Sequence, residues 1–160
     1  MYFYTIIPNL LFGVIYHIYL PKKYGGTPGK LIVGIKIIKL NGKPITWKEA
    51  ILRESVMSVI LFQTIISTSL AVLKADEATL ISLNWKARSE YLTSLAPSIF
   101  IPVWLKNIWY YGELIVLLTN SRKRAIHDYI AGTVIVKSIY IDAINKDMYP
   151  ENAEERAILS

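Results

Sequence analysis

Cysteine is absent from the 160-residue sequence, and histidine occurs only twice, as His17 and His127. The absence of cysteine excludes disulfide bonds and thiol chemistry. The remaining residues show neither metal-ligand spacing nor a nucleophile placed with a base. We therefore expect no catalytic residue, no metal site and no cofactor, and the protein is not predicted to be an enzyme.

Charge is nearly absent from three apolar segments, residues 2–20, 55–73 and 104–118. At about 1.5 Å per helical residue, each is roughly long enough to cross a ~30 Å hydrocarbon layer with some tilt. The hydrophobic content of 53% also exceeds the usual share in a soluble domain. The predicted fold is therefore mainly α, a polytopic membrane protein with three transmembrane helices.

Basic residues lie mainly on one side of these segments. The first connection, residues 21–54, is strongly basic, whereas residues 74–90 carry balanced charge and residues 122–124 are basic again. The positive-inside rule therefore places the first connection and the C-terminus in the cytoplasm and the N-terminus outside, in a multi-pass inner-membrane protein. The net charge of +6 then indicates contact with the bilayer and its anionic lipid headgroups, and no nucleic acid is expected as a partner.

The first connection also predicts local structure. Residues 30–46 alternate, are rich in Ile and Val, and contain Asn41-Gly42, a strong turn signal, so we expect a cytoplasmic β-hairpin. A strand at 132–137 could join it and complete a small sheet. Thr46 and Glu49 have the spacing of a capping box, which predicts the start of the helix that leads into the second apolar segment.

Two other segments interrupt or follow the predicted helices. Residues 91–103 contain two prolines among apolar residues, which predicts an interfacial helix or a broken segment outside the membrane. Residues 138–160 become acidic and predict a solvated cytoplasmic tail, in which a short helix could begin at Pro150. Residues 1–137 are then the membrane domain.

Glu113 is a carboxylate within the third apolar segment, near the expected bilayer centre. An ionised side chain there costs about 2.5 kcal/mol or more unless it is paired, hydrated or protonated. One interpretation is that Glu113 binds a cation or relays a proton. The other is structural, with Glu113 neutral or paired between helices with Asn107, a tyrosine hydroxyl or Arg53.

Asp128 follows the basic run that leaves the third apolar segment and could pair with Arg122 or Arg124. The basic run could equally serve only as an anchor to anionic headgroups. His127 beside Asp128 could form a pH-sensitive pair, although a histidine in a loop is more often solvated. His17, at the inner end of the first segment, is expected to be an interfacial polar side chain.

Two sequence blocks resemble the RDD family of small prokaryotic integral membrane proteins. The first is G-x-T-x-G-K at residues 25–30, followed by Gly34-Ile35-Lys36-Ile37 and later by Arg53-Glu54; the second runs from Arg124 through His127-Asp128 to Ala131-Gly132-Thr133. The resemblance extends over about residues 5–137. It implies that Asp128 stands at the C-terminal aspartate of the family. The family arginine and its other aspartate lie in an earlier membrane helix that has no counterpart in this sequence.

The resemblance also implies a function in transport of ions, including cation/proton exchange, or of small ligands. Under this hypothesis Glu113 is the intramembrane carboxylate, and Asp128 with Arg122 or Arg124 forms a cytoplasmic gate or ion-pair switch. Three helices cannot easily enclose a pathway, so a homo-oligomer or heteromeric membrane complex is expected. The alternative is a non-catalytic membrane subunit or scaffold whose cytoplasmic hairpin and basic loop dock a soluble partner or anionic lipid.

Overall fold

The computed structural model describes residues 2–149, which are mostly helical with one small antiparallel sheet. The chain divides into two compact units. The first unit contains the residues up to Glu54 together with those from Val116 onward, and the second contains Ser55–Ile115. The predicted mainly α character with a small sheet is confirmed.

The N-terminal segment is helical from residue 2 to residue 24. It comprises α1 (Tyr2–Val14), a π-helical turn (Ile15–Tyr19) and α2 (Leu20–Tyr24). Val14 and Leu20 keep right-handed helical dihedral angles, so the helix passes through the π turn without a break. It ends at Gly25, whose φ of 80° is the left-handed conformation that glycine adopts readily. The sequence predicted this helix but not its π turn.

The first residues of the predicted hairpin, 30–32, belong to a short helix. Pro28 occupies the first turn of α3 (Pro28–Ile32), where its missing N–H costs nothing. Strand β1 (Ile35–Lys39) follows, and after the turn at Asn41 the returning chain makes only an isolated bridge between Pro44 and Ile38. The predicted β-hairpin over residues 30–46 is therefore reduced to its turn and the short pairing of residues 38–39 with residues 43–44, because a proline has no backbone N–H to extend a ladder.

The partner of β1 is β2 (Thr133–Lys137), which lies almost 100 residues away in the sequence. The two strands pair antiparallel, with Ile37 opposite Ile135. β-Branched residues make β2 a good strand former. Ile37 packs with Ile45 and Ala50 in a hydrophobic core. An isolated two-stranded sheet is only marginally stable, and this core supplies the packing that it needs. The strand expected to join the hairpin is thus the principal partner.

Helix α4 (Trp47–Lys74) begins with the Glu49 half of the predicted capping box. The backbone N–H of Thr46 donates to the Glu49 carboxylate at 2.7 Å, and the Thr46 hydroxyl binds the same oxygen. Lys39 adds an ion pair at 3.2 Å. Burial raises the pKa of Glu49, but these donors together outweigh it and lower the pKa to about 2. Glu49 precedes the apolar stretch of α4 and stabilises the N-terminal end of this helix.

Among the residues that the structure describes, α4 alone is both long and apolar enough to cross a membrane. Only 17% of its most apolar stretch is buried, whereas a core helix of a soluble protein is mostly buried. This helix supports membrane association. The other two predicted crossings, residues 2–20 and 104–118, remain predictions.

The second unit contains three further helical segments. Helices α5 (Glu77–Ser82) and α6 (Trp85–Leu95) start at the side-chain caps Asp76 and Asn84. The backbone N–H and the hydroxyl of Thr79 lower the pKa of Asp76. After a 3₁₀ turn, α7 (Phe100–Thr119) starts four residues before the predicted third segment. The expected break in residues 91–103 is therefore confined to the loop and turn between α6 and α7.

Helix α8 (Ile126–Ala131) precedes β2, and the chain after β2 forms a 3₁₀ turn and α9 (Ile141–Met148), which lies against the turn at Asn41-Gly42. The Tyr149 hydroxyl donates to the Asn41 carbonyl at 2.8 Å. Gly42 has a φ of 76°, and a Cβ there would lie 3.1 Å from the Asn145 side-chain oxygen. The predicted solvated tail from residue 138 therefore contains a helix and contacts this turn, while none of its side chains up to residue 149 is buried. The possible helix at Pro150 lies outside the described residues.

Candidate functional site

Arg53 lies in the second turn of α4, in the part of that helix that belongs to the first unit. It stands three residues after Ala50, so the two share one helix face. Ala50 is fully buried and Arg53 is only 7% exposed. The guanidinium of Arg53 is therefore buried on the face of α4 that packs on the small sheet. A buried charge requires a partner.

Asp128 is brought to the same position by a short helix after α7. Ala125 is extended and precedes α8 (Ile126–Ala131), so Asp128 is the third helical residue. Its Oδ2 accepts the Ala125 N–H at 3.3 Å, the contact that an acidic residue makes in the first turn of a helix. Gly132 then ends the helix with a φ of 65° and turns the chain into β2. This turn sets Thr133 beside Asp128.

Arg53, Asp128 and Thr133 form a closed triangle. Arg53 Nη1 forms an ion pair with Asp128 Oδ1 and donates to the Thr133 hydroxyl oxygen at 2.7 Å. The Thr133 hydroxyl in turn donates to Asp128 Oδ1 at 3.0 Å. Asp128 and Thr133 are essentially inaccessible to solvent. We call these three residues with Arg124 the buried cluster.

Arg124 closes the cluster from the other side through backbone groups. Its Nε donates to the Thr133 carbonyl and its Nη2 to the Asp128 carbonyl, both at 3.0 Å. Its guanidinium carbon lies 4.1 Å from the centre of the Tyr129 ring, a cation–π contact. The cluster therefore contains two buried guanidinium groups and one buried carboxylate, and the second cation is stabilised by carbonyl dipoles and an aromatic face.

The structure corrects the predicted pairing of Asp128. The partner of its carboxylate is Arg53 and not Arg122 or Arg124. Arg122 lies exposed in the turn after α7, where its N–H donates to the Asn120 side chain at 3.0 Å. The sequence favoured the neighbouring basic run because it was close along the chain, but the turn directs Arg124 toward backbone carbonyls.

Each histidine lies beside a carboxylate. His127 Nε2 is 3.8 Å from Asp128 Oδ2, and His17 Nδ1 is 3.6 Å from Glu54 Oε1. The side chain of His127 is mostly covered, so the prediction of a solvated histidine is wrong. The His17 contact was not predicted, since its partner lies on α4. Both contacts become ion pairs when the imidazole is protonated.

Glu113 lies in the part of α7 that belongs to the second unit and is half-buried. The buried cluster belongs to the first unit. Arg53, which the sequence offered as a partner for Glu113, forms its ion pair with Asp128. Over residues 2–149, no group of three or more His, Asp or Glu side chains could hold a metal ion.

The role of Thr133 was missed by sequence reasoning, which treated it only as part of a strand. A threonine directly after a helix-ending glycine is a weak signal, because the same residue is common in strands. The buried cluster can bind no substrate in this state, since its charged groups are directed at one another. Its physical effect is to fasten the start of α4 to α8 and β2: removing one partner of a buried pair typically costs about 3–5 kcal/mol.

Comparison with known proteins places the buried cluster in context. The model of the RDD family matches residues 1–132, a range that includes Arg53, Arg124 and Asp128. No curated protein and no solved structure matches the chain. The family and the apolar helix α4 together indicate a membrane protein. By the extent of this match, the chain belongs to the RDD family.

Proposed function

We propose that the protein is a multi-pass inner-membrane protein that takes part in the transport of ions, by cation/proton exchange, or of small ligands. In this arrangement residues 2–20, 55–73 and 104–118 cross the bilayer, with the N-terminus outside and the C-terminus in the cytoplasm. Large apolar side chains are exposed along α1 and α7, among them Ile7, Phe12, Ile108 and Leu118. Such surfaces suit contact with lipid acyl chains.

The observation that carries the transport proposal is the buried ion pair of Arg53 and Asp128 at the cytoplasmic start of α4. We propose that this pair acts as a cytoplasmic gate, which is closed in the dry cluster and opens when the two residues separate and each charge becomes hydrated. The gate assigned from sequence to Asp128 with Arg122 or Arg124 is here assigned to Asp128 with Arg53, while Arg124 holds the backbone around it.

Glu113 supplies the second element of the proposal. Its carboxylate lies in an apolar helix, where protonation and cation binding compete for the same oxygens. In such an exchange the proton leaves Glu113 to the side from which the cation binds, and on the opposite side the cation leaves as a proton rebinds. Three helices cannot easily enclose a pathway, so we propose that a homo-oligomer or a heteromeric complex encloses it.

Proton flux in proteoliposomes tests this role. The variant Glu113→Gln keeps the shape of the side chain but cannot ionise, so we expect cation-dependent proton movement to be lost. Glu90→Gln is the matched control, because Glu90 is exposed on α6 and should leave flux unchanged. Equal flux in the parent and Glu113→Gln, or no flux in either, would remove Glu113 from the mechanism.

A second candidate is a non-catalytic membrane subunit or scaffold, and the closed hydrogen bonding of the buried cluster favours it. A fully satisfied polar cluster stabilises one conformation, which suits a docking platform. Affinity capture in mild detergent tests this candidate. Recovery of the protein without a stoichiometric companion would count against it. In both proposals the protein performs no covalent chemistry.

A further inference from the structure

Two lysines and three aromatic side chains meet where the N-terminal helical segment reaches the first connection. Tyr19 ends the π turn, Lys22, Lys23 and Tyr24 lie on α2, and Trp47 begins α4. We call these five residues the basic aromatic cluster. It lies wholly within the first unit.

The contacts of this cluster are cation–π contacts. Lys22 Nζ lies 5.1 Å from the centre of the Trp47 ring, and Lys23 Nζ lies 5.5 and 5.2 Å from the rings of Tyr19 and Tyr24. The centres of the Tyr19 and Trp47 rings are 6.3 Å apart, so the contacts of Lys22 and those of Lys23 form one cluster. The aromatic faces hold the two ammonium groups without neutralising them.

No carboxylate among residues 2–149 forms an ion pair with Lys22 or Lys23. Lys39 differs, because Glu49 neutralises it at 3.2 Å. The stem of Lys36 passes close to Gly25 and brings a third cation to the same end of the helix. Within residues 2–149, the positive charge of Lys22 and Lys23 therefore has no carboxylate partner.

Tyr24 and Trp47 are each 48% exposed, although they are large aromatic residues. Tryptophan and tyrosine concentrate at the headgroup level of a bilayer, where one part of the ring is in contact with apolar chains and the other with water. Lysines beside a membrane helix are attracted to anionic headgroups at the same level. The exposure of these two rings, the charge of the lysines and their position at the end of the apolar segment are therefore all typical of the headgroup level of a bilayer.

We propose that the basic aromatic cluster binds the phosphate headgroup of an anionic phospholipid in the cytoplasmic leaflet. Lys22 and Lys23 hold the phosphate oxygens, and the exposed faces of Tyr24 and Trp47 lie against the glycerol and upper acyl carbons. This inference rests on the proposed membrane crossing of residues 2–20, and it is independent of transport.

Native mass spectrometry of the full-length protein in detergent, titrated with phosphatidylglycerol or phosphatidylcholine, tests the site. We expect preferential retention of phosphatidylglycerol. The variant Lys22→Gln/Lys23→Gln should weaken it by about tenfold or more, given the usual contribution of a lysine at a membrane surface. Lys74→Gln/Lys86→Gln removes the same charge from two exposed lysines elsewhere and should retain the lipid. Lys22→Arg/Lys23→Arg should also retain it.

Equal retention of the two lipids by the parent, or equal losses in the two glutamine variants, would overturn the proposal. Competition by soluble glycerol phosphate at the concentrations that suffice for the lipid would show a site for free phosphate and would also overturn it. If Lys22→Gln/Lys23→Gln fails to fold, as judged by circular dichroism, Trp47→Ala replaces it, and unchanged retention in that variant contradicts the site. Resistance of the protein to carbonate extraction reports the membrane crossing separately.

Discussion

The guanidinium of Arg53 and the carboxylate of Asp128 are 75 residues apart in sequence and form an ion pair whose side chains are 5% and 2% exposed. The pair joins the start of α4, which is long and apolar enough to cross a membrane, to the segment that follows α7. Its energetic effect depends on both partners, because each would be costly to bury alone.

Asp128→Asn should lower the free energy of unfolding by about 3–5 kcal/mol, since it leaves the Arg53 cation buried without a counter-charge. Thermal or chemical unfolding in detergent measures the loss. Asp142→Asn is the control, because Asp142 is exposed on α9 and should change stability little. Arg53→Met combined with Asp128→Asn should be less damaging than the sum of the two single changes, and simple additivity would argue against a direct pair.

Thr133→Val should cost about 1–2 kcal/mol, because it keeps the side-chain volume but removes the hydroxyl that bridges the ion pair. The fully buried position leaves no room for water to replace that hydroxyl. Thr133→Ser restores the hydroxyl and should retain more of the stability. If Thr133→Val and the parent unfold alike in urea, the bridge contributes nothing.

The Glu49 cap predicts a dependence of stability on acid. Its pKa of about 2 in the folded protein lies below the usual 4.5, so its stabilising effect is complete above about pH 5 and is lost as pH falls toward 2. Glu49→Gln should therefore be less stable than the parent at pH 6, and the difference should shrink between pH 5 and pH 2. Unfolding measured across this range checks the sign. A difference independent of pH would contradict it.

Gly42→Ala should release α9 from the first connection. Its φ of 76° disfavours a side chain, and a Cβ would meet Asn145 and Met148 at 3.1 and 3.2 Å. We expect a loss of about 1 kcal/mol or more and faster proteolysis within residues 138–149. Gly29→Ala is the matched control, since a Cβ there meets no atom within 4 Å and its φ is not positive. Equal proteolysis in both variants would mean that the contact does not hold α9.

The natural absence of cysteine allows the proposed topology to be tested with single cysteines. Asn41→Cys should be protected from a membrane-impermeant maleimide in intact cells, whereas Ser89→Cys in α6 should react. Permeabilised cells should label both positions. Labelling of Asn41→Cys before permeabilisation would invert the orientation proposed from the basic residues.

Local features were predictable from the sequence, and one distant pairing was predicted as well. The Thr46–Glu49 contact was found because both partners lie within one helical turn. The turn at Asn41-Gly42 and the strand at 132–137 were both predicted, but the sequence did not indicate that the distant strand would be the principal partner of β1. Arg53 and Asp128 were each recognised as candidates, but neither residue's spacing specifies the other.

The same reasoning explains the docked segment after β2. Acidic residues at its start favoured solvent, and nothing in residues 138–149 indicates the turn that receives them. The packing depends on Gly42 having no side chain, which becomes visible only when the two segments are brought together. The length of an apolar segment, in contrast, is a local property. Membrane crossing can therefore be predicted from the sequence without knowledge of the fold.

The sequence separation of these paired groups also determines when each leaves the ribosome during synthesis. On a ribosome that adds about 5–20 residues per second, Arg53 and the free edge of β1 emerge roughly 4–15 s before Asp128 and β2 are available. During that interval the nascent chain holds a cation without its carboxylate partner and a strand edge without its principal partner. Chains truncated before residue 128 would keep both defects permanently.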